Sequence, residues 1–280
     1  MAIKGRIMVI GGHEDRSDNN IEIKEKNRDY SPNEILSTLI PDNGGRLEII
    51  TTASSEPESM EETYRDSFKQ LDFDNFGFLH AIEKKDGNGR QHLQRIKDAK
   101  TVFFTGGDQG DLCERLKGTD TVALLQRKCR EESDFILAGT SAGAMCMTHI
   151  MIDESAKNEA LISGELQLTE GLAFLDDCIV DTHFVDRGRF GRLAHAVALH
   201  RELWGLGIGE DTALIIEGGT QARCIGSGMV TAITATHLGC TNIDTAENGT
   251  PIFMENLTVH LLTAGCSINL KTGELQLNER

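Results

Sequence analysis

The sequence has no apolar run approaching the roughly 20 residues that a helix needs to cross a bilayer. We also expect no secretory signal peptide, because the first apolar run, residues 7–10, is too short for the hydrophobic region of one. That run is better explained as a first buried strand. We therefore expect a cytoplasmic protein with no membrane partner.

A disulfide framework is also missing. The seven cysteines are odd in number and show no C-x-x-C spacing, which predicts free thiols in a reducing compartment. Proline is scarce, at 4 residues, and the 39% hydrophobic and 26% charged content is that of an ordinary globular protein. Nothing in this composition indicates disorder or repeats.

Basic charge is in short supply. With 28 lysines and arginines against 44 acidic residues, the formal net charge is −16. Phosphate backbones are bound by basic surfaces, so this balance argues against a nucleic-acid partner. An acidic surface favours cationic ligands, although the charge could also serve solubility alone.

Strands alternate with helices through the first 150 residues, a pattern that predicts a parallel sheet with helices on both faces. The predicted strands of this half are 6–10, 46–51, 76–81, 101–105 and 135–138. The predicted helices are 32–40 with Ser31 as N-cap, 56–71, 92–99 and 119–133.

Beyond residue 160 the chain becomes richer in β-strands. We predict a strand at 179–183, a helix at 188–202, and short strands at 206–208, 213–217, 221–225 and 229–235. No linker or break in composition marks a domain boundary. The expected fold is therefore a single α/β domain over residues 1–280, with three layers, a mostly parallel central sheet, helices on both faces and a β-rich C-terminal part.

Residues 139–143, Gly-Thr-Ser-Ala-Gly, follow the strand at 135–138 and precede a run of Ala, Met and Cys that is compatible with a helix. This order of strand, sharp turn and helix is that of a nucleophile elbow, in which small neighbours allow a strained turn to expose a hydroxyl. Ser141 is therefore the candidate nucleophile.

A serine nucleophile needs a base and a group that orients the base. Of the nine histidines, His183 is favoured because it ends a predicted strand, and we expect it over the same sheet edge as the elbow. Glu210 and Asp211 follow another strand and could each orient the imidazole. Asp181 is a weaker third candidate.

An oxyanion hole requires backbone N–H groups that are already in position. Gly106 and Gly107 end the strand at 101–105 and could supply one N–H group, although the same pair could simply form a turn into a helix. The N–H group of Ala142 would supply the other.

Three arginines, at positions 187, 189 and 192, form a cationic cluster directly after the candidate base. Guanidinium groups bind carboxylates with two parallel hydrogen bonds, so the cluster suggests a pocket for a substrate carboxylate. The competing interpretation is a solvated helix start in which these arginines pair with Asp186 and Glu202.

A polar cluster follows the first strand, formed by His13, Glu14, Asp15 and Asp18. These residue types can bind metal ions, but they lack any recognised ligand spacing. A solvated loop is the favoured interpretation, and we expect neither a metal nor a cofactor.

Four stretches taken together resemble the cyanophycinases, serine peptidases related to dipeptidase E within the glutamine-amidotransferase-like superfamily. They are FTGGDQ (104–109), GTSAGAM (139–145), DTHFVDRGRFGRL (181–193) and GIGEDTALII (207–216). The resemblance implies Ser141 as nucleophile, His183 as base and Glu210 as the orienting acid. It also implies a homodimer.

The same resemblance implies the substrate site. Gln109 would line it, and Arg187, Arg189 and Arg192 would bind the free α-carboxylate of a β-linked aspartate, with Asp181 and Thr182 beside them. Thr182 stands where some relatives carry Gln. The substrate would be cyanophycin, a poly-aspartate that carries arginine on each β-carboxyl group, or β-aspartyl peptides, and the products would be β-Asp-Arg dipeptides.

Two other functions remain open at the level of sequence. The chain could be an α-aspartyl dipeptidase of the dipeptidase E type that acts on small peptides, or a protein that binds β-aspartyl chains without cleaving them. Its length and its three arginines favour the polymer over small peptides, and the intact triad favours catalysis.

Overall fold

A computed structural model of the chain describes residues 3–16, 31–153 and 161–277. The loop predicted at 16–30 lies, from residue 17 onward, outside the described residues, as does Asp18. Among the described residues the helices are α1 (Glu34–Leu39), α2 (Pro57–Gln70), α3 (Arg90–Asp98), α4 (Gln109–Leu116), α5 (Asp120–Glu131), α6 (Ala142–Met145) and α7 (Phe190–Leu199).

The strands of the first half are β1 (Arg6–Ile10), β2 (Arg46–Ile50), β3 (Phe76–Leu79), β4 (Ala99–Phe104), β5 (Ile136–Thr140), β6 (Ile150–Ile152) and β7 (Leu168–Glu170). Those of the second half are β8 (Cys178–Asp181), β9 (Trp204–Ile208), β10 (Thr212–Glu217), β11 (Gln221–Gly226), β12 (Val230–Thr234), β13 (Thr258–Leu262), β14 (Cys266–Asn269) and β15 (Leu275–Leu277). The predicted strands and most predicted helices are confirmed, with small shifts at their ends.

The central sheet has nine strands in the order β15-β14-β11-β10-β1-β5-β4-β2-β3. From β1 to β3 all neighbours are parallel, as the alternation of strands and helices predicts. From β10 to β15 they are antiparallel, and this extension is part of the β-rich C-terminal region. The two halves meet at β1, which pairs with β5 on one side and β10 on the other.

A second sheet of four strands, β13-β12-β9-β8, lies outside the central sheet. Its strand β8 runs parallel to β9 and leads to His183. The prediction that His183 follows a strand of the same sheet as the elbow is therefore wrong. The apolar run of β8 is equally typical of either sheet, and only its long-range pairing with β9 decides the matter.

Two apolar clusters cover the two faces of the central sheet. Alternate residues of a strand point to opposite faces, so Met8 joins α1 and α2 on one face while Ile7 joins the other cluster. That second cluster contains apolar residues of α3, α4, α5, α6 and α7 and of the four-stranded sheet. The three-layer α/β architecture is thereby confirmed.

Local details differ from the sequence predictions at several helices. Ser31 is not the N-cap of α1, because the helix begins two residues later, after Asn33 in a left-handed conformation at φ 54°. Helix α4 was not predicted, since its apolar residues directly follow a glycine-rich loop. Helix α6 spans only 4 residues. Among the described residues no helix is both long enough and apolar enough to cross a membrane.

Candidate active site

Ser141 occupies the turn between β5 and α6 with φ 53° and ψ −120°, a strained conformation for a residue with a side chain. Its N–H group donates to the Ile10 carbonyl oxygen at 3.0 Å, which ties the turn to β1. A Cβ atom on Gly143 would lie 2.4 Å from the Phe104 carbonyl oxygen, and one on Gly139 would lie 2.2 Å from that of Gly143. Glycine on both sides therefore lets the elbow pack against the sheet.

A buried carboxylate, that of Glu14, holds the residue before Ser141 in place. Glu14 accepts a hydrogen bond from the Thr140 hydroxyl at 2.7 Å and another from the Tyr64 hydroxyl. Burial, together with this carboxylate, raises the pKa of Tyr64 well above its usual value. The phenol therefore stays protonated and donates a hydrogen bond to Glu14. Glu14 thus fixes the residue that immediately precedes Ser141.

His183 faces Ser141, with 3.0 Å between the serine Oγ and the imidazole Nε2. It follows β8 in a left-handed conformation at φ 46°, and its N–H group donates to the Gly11 carbonyl oxygen at 2.8 Å. The loop after β1 therefore holds the histidine against the elbow, although the two residues come from different sheets.

Glu210 lies on the connection between β9 of the second sheet and β10 of the central sheet. Its Oε1 atom is 2.6 Å from His183 Nδ1, so this carboxylate contacts the imidazole. Asp211 instead accepts hydrogen bonds from the Asp15 N–H group at 2.8 Å and the Ser227 hydroxyl at 2.5 Å. Burial raises the pKa of Asp211 to about 6.

The surroundings of His183 favour a neutral imidazole. Burial lowers the pKa of His183 from its ordinary value, and the positive charge of Arg187 acts in the same direction. The hydrogen bond to Glu210 opposes these effects but does not cancel them. A neutral imidazole that donates from Nδ1 to Glu210 has a free lone pair on Nε2, the atom that faces the serine hydroxyl.

The glycine-rich loop after β4 lies against the elbow. A Cβ atom on Gly106 would be 3.3 Å from Ser141 Cβ, and Gly107 has a φ of +141°, which favours glycine. In the part of the chain that the structure describes, the N–H groups of Gly107 and Ala142 donate to no backbone carbonyl. Both sites predicted for the oxyanion hole therefore flank Ser141.

The arginine cluster divides into a buried and an exposed part. Arg192 donates to Asp181 through Nε at 2.7 Å and through Nη2 at 2.5 Å. Arg189 donates to the same carboxylate at 3.3 Å and to the Thr182 carbonyl oxygen at 2.7 Å. The predicted pairing with Asp186 and Glu202 is wrong, because both guanidinium groups are buried with the carboxylate that ends β8.

Arg187 is the exposed member of the cluster. Its N–H group donates to the carbonyl oxygen of His183 at 3.0 Å, which keeps the residue beside the imidazole. Among the described residues its guanidinium group forms no ion pair. It therefore differs from Arg189 and Arg192, whose charge is engaged inside the protein.

The remaining predicted site residues are buried near these elements. Gln109 begins α4, directly after the glycine-rich loop, and its side-chain amide donates to the Ile152 carbonyl oxygen at 3.4 Å. Thr182 is fully buried, and its hydroxyl has no hydrogen-bond partner among the described residues. Asp181 does not contact His183 through its carboxylate, so it is not the orienting acid.

Three residues after β1 were not assigned to the site from sequence. Glu14 and Asp15 are buried, so the expectation of a solvated loop is wrong for them. His13 has a 60% exposed side chain, and its Nδ1 atom lies 3.5 Å from Glu210 Oε2. The imidazoles of His13 and His183 meet edge to face with 5.2 Å between their centres. The position of His13, Glu14 and Asp15 after a strand of the parallel half was the signal that could have identified them.

Backbone strain is concentrated at this site. Among the described residues, eight that are not glycine have a positive φ, and His13, Ser141, His183 and Asp211 are four of them. Strained residues of this kind persist where the surrounding structure holds them, and they cluster at functional sites.

Comparison with known proteins identifies the family and agrees with the fold. The sequence model for Peptidase family S51 matches residues 20–224. The chain is 33% identical over 276 residues to a cyanophycinase from Synechococcus elongatus, covering 98% of this chain and 81% of that protein. It is 32% identical over 272 residues to a cyanophycinase from Trichormus variabilis, covering 96% and 87%.

The fold is shared with a peptidase from an acI-B1 Actinobacterium whose crystal structure is known. That structure matches with a TM-score of 0.62 and 24% sequence identity, over 96% of this chain and 97% of the other. The likeness concerns the α/β fold alone, whereas the match over 20–224 and the two relatives establish the family. The chain therefore belongs to peptidase family S51 and is a serine peptidase.

Proposed function

We propose that this peptidase hydrolyses cyanophycin to β-Asp-Arg dipeptides through an acyl-enzyme on Ser141, with His183 as base and Glu210 as orienting acid. The observation that carries the proposal is the continuous series of contacts from Ser141 Oγ to His183 Nε2 at 3.0 Å and from His183 Nδ1 to Glu210 Oε1 at 2.6 Å. Relatives that share about a third of the sequence bear the name of this activity.

In the first half-reaction Ser141 Oγ attacks the carbonyl carbon of the scissile peptide bond. His183 accepts the hydroxyl proton on Nε2 and then donates it to the departing amine as the C–N bond breaks. Glu210 holds the imidazole by its Nδ1–H group and stabilises the positive charge that it acquires. The lowered pKa of His183 keeps the base unprotonated at neutral pH.

The oxyanion that forms during the attack is bound by the N–H groups of Gly107 and Ala142. Donors in fixed positions cost no reorganisation when charge develops, and removal of one typically slows the chemical step about 10²–10³-fold. Water then attacks the acyl-enzyme with His183 as base, and release of the new carboxylic acid restores the serine hydroxyl.

Within the arginine cluster we propose separate roles. Arg187 is exposed beside His183, so it binds the free α-carboxylate of the β-linked aspartate. Arg189 and Arg192 hold Asp181 and the backbone of Thr182, and they position the segment that carries His183. Gln109, which begins α4 directly after the loop of Gly107, lines the substrate site.

The charge of the whole chain suits a substrate with many cations. A net charge of −16 attracts a polymer that presents guanidinium groups along its length. The local positive charge of Arg187 is directed at the carboxylate next to the cleaved bond. The negative charge of the chain thus attracts the guanidinium groups of the substrate, and the positive charge of Arg187 binds its carboxylate.

We further propose that residues 1–280 form one peptidase domain that acts as a cytoplasmic homodimer without a cofactor. The single domain is supported by the central sheet, which joins β1 near one end of the chain to β14 and β15 near the other. Light scattering of the purified protein tests the dimer.

Digestion of insoluble cyanophycin tests the proposed activity. The wild type should release soluble β-Asp-Arg, identified by mass spectrometry, and Ser141→Ala should release none above background. The same enzyme should cleave α-Asp-X dipeptides far more slowly. Preferential cleavage of those dipeptides would replace the proposal with a dipeptidase E activity, and binding of the polymer without cleavage would refute catalysis.

A further inference from the structure

Three side chains with metal-binding atoms meet at the triad. His13, His183 and Glu210 each offer one ligand atom, and these atoms all lie within 4.8 Å of one another. They come from three separate loops, after β1, β8 and β9. Glu210 is shared, since Oε1 lies 2.6 Å from His183 Nδ1 and Oε2 lies 3.5 Å from His13 Nδ1.

The donor set is specific for a class of ion. Two imidazoles and a carboxylate, with a fourth position left for water, form a set that binds Zn²⁺ in proteins, whereas Ca²⁺ and Mg²⁺ prefer oxygen ligands alone. The cluster is open to solvent through His13 at 60% and Glu210 at 31% side-chain exposure, so an ion can reach it directly.

We propose that His13, His183 and Glu210 form an inhibitory binding site for a divalent transition-metal ion such as Zn²⁺. The inhibitory part rests on the proposed role of His183 and Glu210 in catalysis. Binding of the ion blocks catalysis by these residues, and the ion takes no part in hydrolysis.

Occupation of the site reverses the hydrogen-bond roles of His183. An ion shared with Glu210 takes the lone pair of Nδ1, so the single proton of the neutral imidazole resides on Nε2. The Nε2–H group can then donate to Ser141 Oγ but cannot accept its proton. The proton on Nδ1 leaves to solvent as the ion binds, and Nε2 takes a proton from solvent, so the imidazole stays neutral. Glu210 exchanges its hydrogen bond with Nδ1 for the ion, so His183 loses both its orienting partner and its free lone pair towards Ser141.

His13 separates metal binding from catalysis. It contacts neither Ser141 nor the oxyanion loop in the described part of the chain, yet it supplies one of the three ligands. A variant that lacks this imidazole should lose the tight site for the ion, while Ser141, His183 and Glu210 themselves remain in the chain.

The test uses the full-length protein after dialysis against EDTA. Co²⁺, which substitutes for Zn²⁺, is titrated while the visible absorption of the ion is recorded, and Zn²⁺ is titrated while labelling of Ser141 by a fluorophosphonate is timed. We compare the wild type with His13→Ala and with the matched control His149→Ala, which removes an exposed histidine outside the cluster.

The wild type and His149→Ala should bind one equivalent of Co²⁺, and Zn²⁺ should stop their labelling until EDTA is added. His13→Ala should need at least about tenfold more ion for either effect, with its labelling compared with its own metal-free rate, because it has lost one of the three ligands. Equal metal affinity in His13→Ala and wild type would overturn the proposal, as would Co²⁺ binding without protection of Ser141.

These readouts do not depend on cyanophycin. If the polymer were not the substrate, the Co²⁺ spectrum and the labelling of Ser141 would still respond to His13→Ala. If Ser141 failed to react in metal-free protein, the proposed function would fail first, and the absorption titration would still decide whether the ion binds.

Discussion

Glu210 and Asp211 are neighbours in the sequence, but their carboxylates serve different partners. Glu210 reaches the imidazole of His183, whereas Asp211, at φ 46°, turns to the Asp15 N–H group and the Ser227 hydroxyl. The left-handed conformation of Asp211 sends the two side chains apart. Glu210 is suited to orient the imidazole, and Asp211 joins the loops that carry Asp15 and Ser227.

Exchanging each carboxylate for its amide tests this division. Glu210→Gln should lower kcat for polymer hydrolysis by about 10²–10⁴-fold, because an amide can hold the imidazole in the wrong tautomer and cannot stabilise its positive charge. Asp211→Asn retains an acceptor for its neighbours and should lower kcat less than about tenfold. Comparable losses in steady-state assays of the two variants would contradict the assignment.

At the residue scale the sequence was informative where a role depends on local pattern. The tight turn at Ser141 could be predicted from the glycines around it, and the positions of His183 and Gly107 next to that turn from their places at strand ends. The choice between Glu210 and Asp211 depends on a backbone angle that the residue types do not determine. Glu14 and His13 were not assigned, although they follow a strand of the parallel half, since their partners Thr140, Tyr64 and Glu210 are far away in the chain.

The segment from β8 to α7 is the element on which the site depends most. It carries His183 on a strained turn, and its two ends are joined by the buried ion pair of Asp181 with Arg192 and Arg189. A buried carboxylate left without its guanidinium partner is costly, so the cluster contributes to the fold of this segment. Arg187 projects from the middle of the same segment into solvent.

The same substitution at two arginines should therefore have very different effects on stability. Arg192→Met should lower the free energy of unfolding by about 3 kcal/mol, because it leaves Asp181 with one cation fewer in a buried position. Arg187→Met should change that free energy by less than about 0.5 kcal/mol, since the side chain is exposed. Urea unfolding measures both, and an equal loss of stability would refute the buried role of Arg192.

Elements were predictable where their signal is local. Apolar runs identified the strands from β1 to β5 and from β8 to β12. The membership of β8 and β9 in a second sheet was not predictable, because pairing of β9 with β12 and of β12 with β13 is decided by contacts distant in the chain. Helix α4 was missed because a glycine-rich turn normally interrupts a helical pattern of apolar residues, whereas here the helix begins directly after one.

At the scale of the whole molecule, most of the thiols are buried. Five of the seven cysteines, Cys113, Cys129, Cys146, Cys178 and Cys224, are buried, while Cys240 is exposed and Cys266 is half-buried. Burial raises the pKa of Cys113 to about 11 and those of Cys129, Cys178 and Cys224 to about 12. Because the thiolate is the reactive form, these groups should be inert in the folded protein.

Thiol titration with Ellman's reagent checks this arrangement. Native protein should react rapidly at Cys240 and more slowly at Cys266, and raising the pH from 7 to 9 should not add the buried thiols, whose pKa values lie well above that range. Cys240→Ser should remove the rapid phase, and denaturant should release the rest. Rapid reaction of all seven thiols before unfolding would contradict the packing described above.

At this scale the α/β class, the layers and the free thiols followed from composition and pattern. What the sequence did not predict is that the candidate active site joins two sheets. Ser141 follows a strand of the central sheet, His183 follows one of the second sheet, and Glu210 lies on the connection between them. The two sheets must therefore pack correctly against each other for Ser141, His183 and Glu210 to come into contact.

Covalent labelling of Ser141 tests the central claim most directly. The protein is treated with a fluorophosphonate, and the intact mass and the modified peptide are determined by mass spectrometry. We predict a single adduct on Ser141, formed much more slowly in His183→Ala and absent in Ser141→Ala. An adduct on another residue, or undiminished labelling of His183→Ala, would contradict the activation of Ser141 by His183.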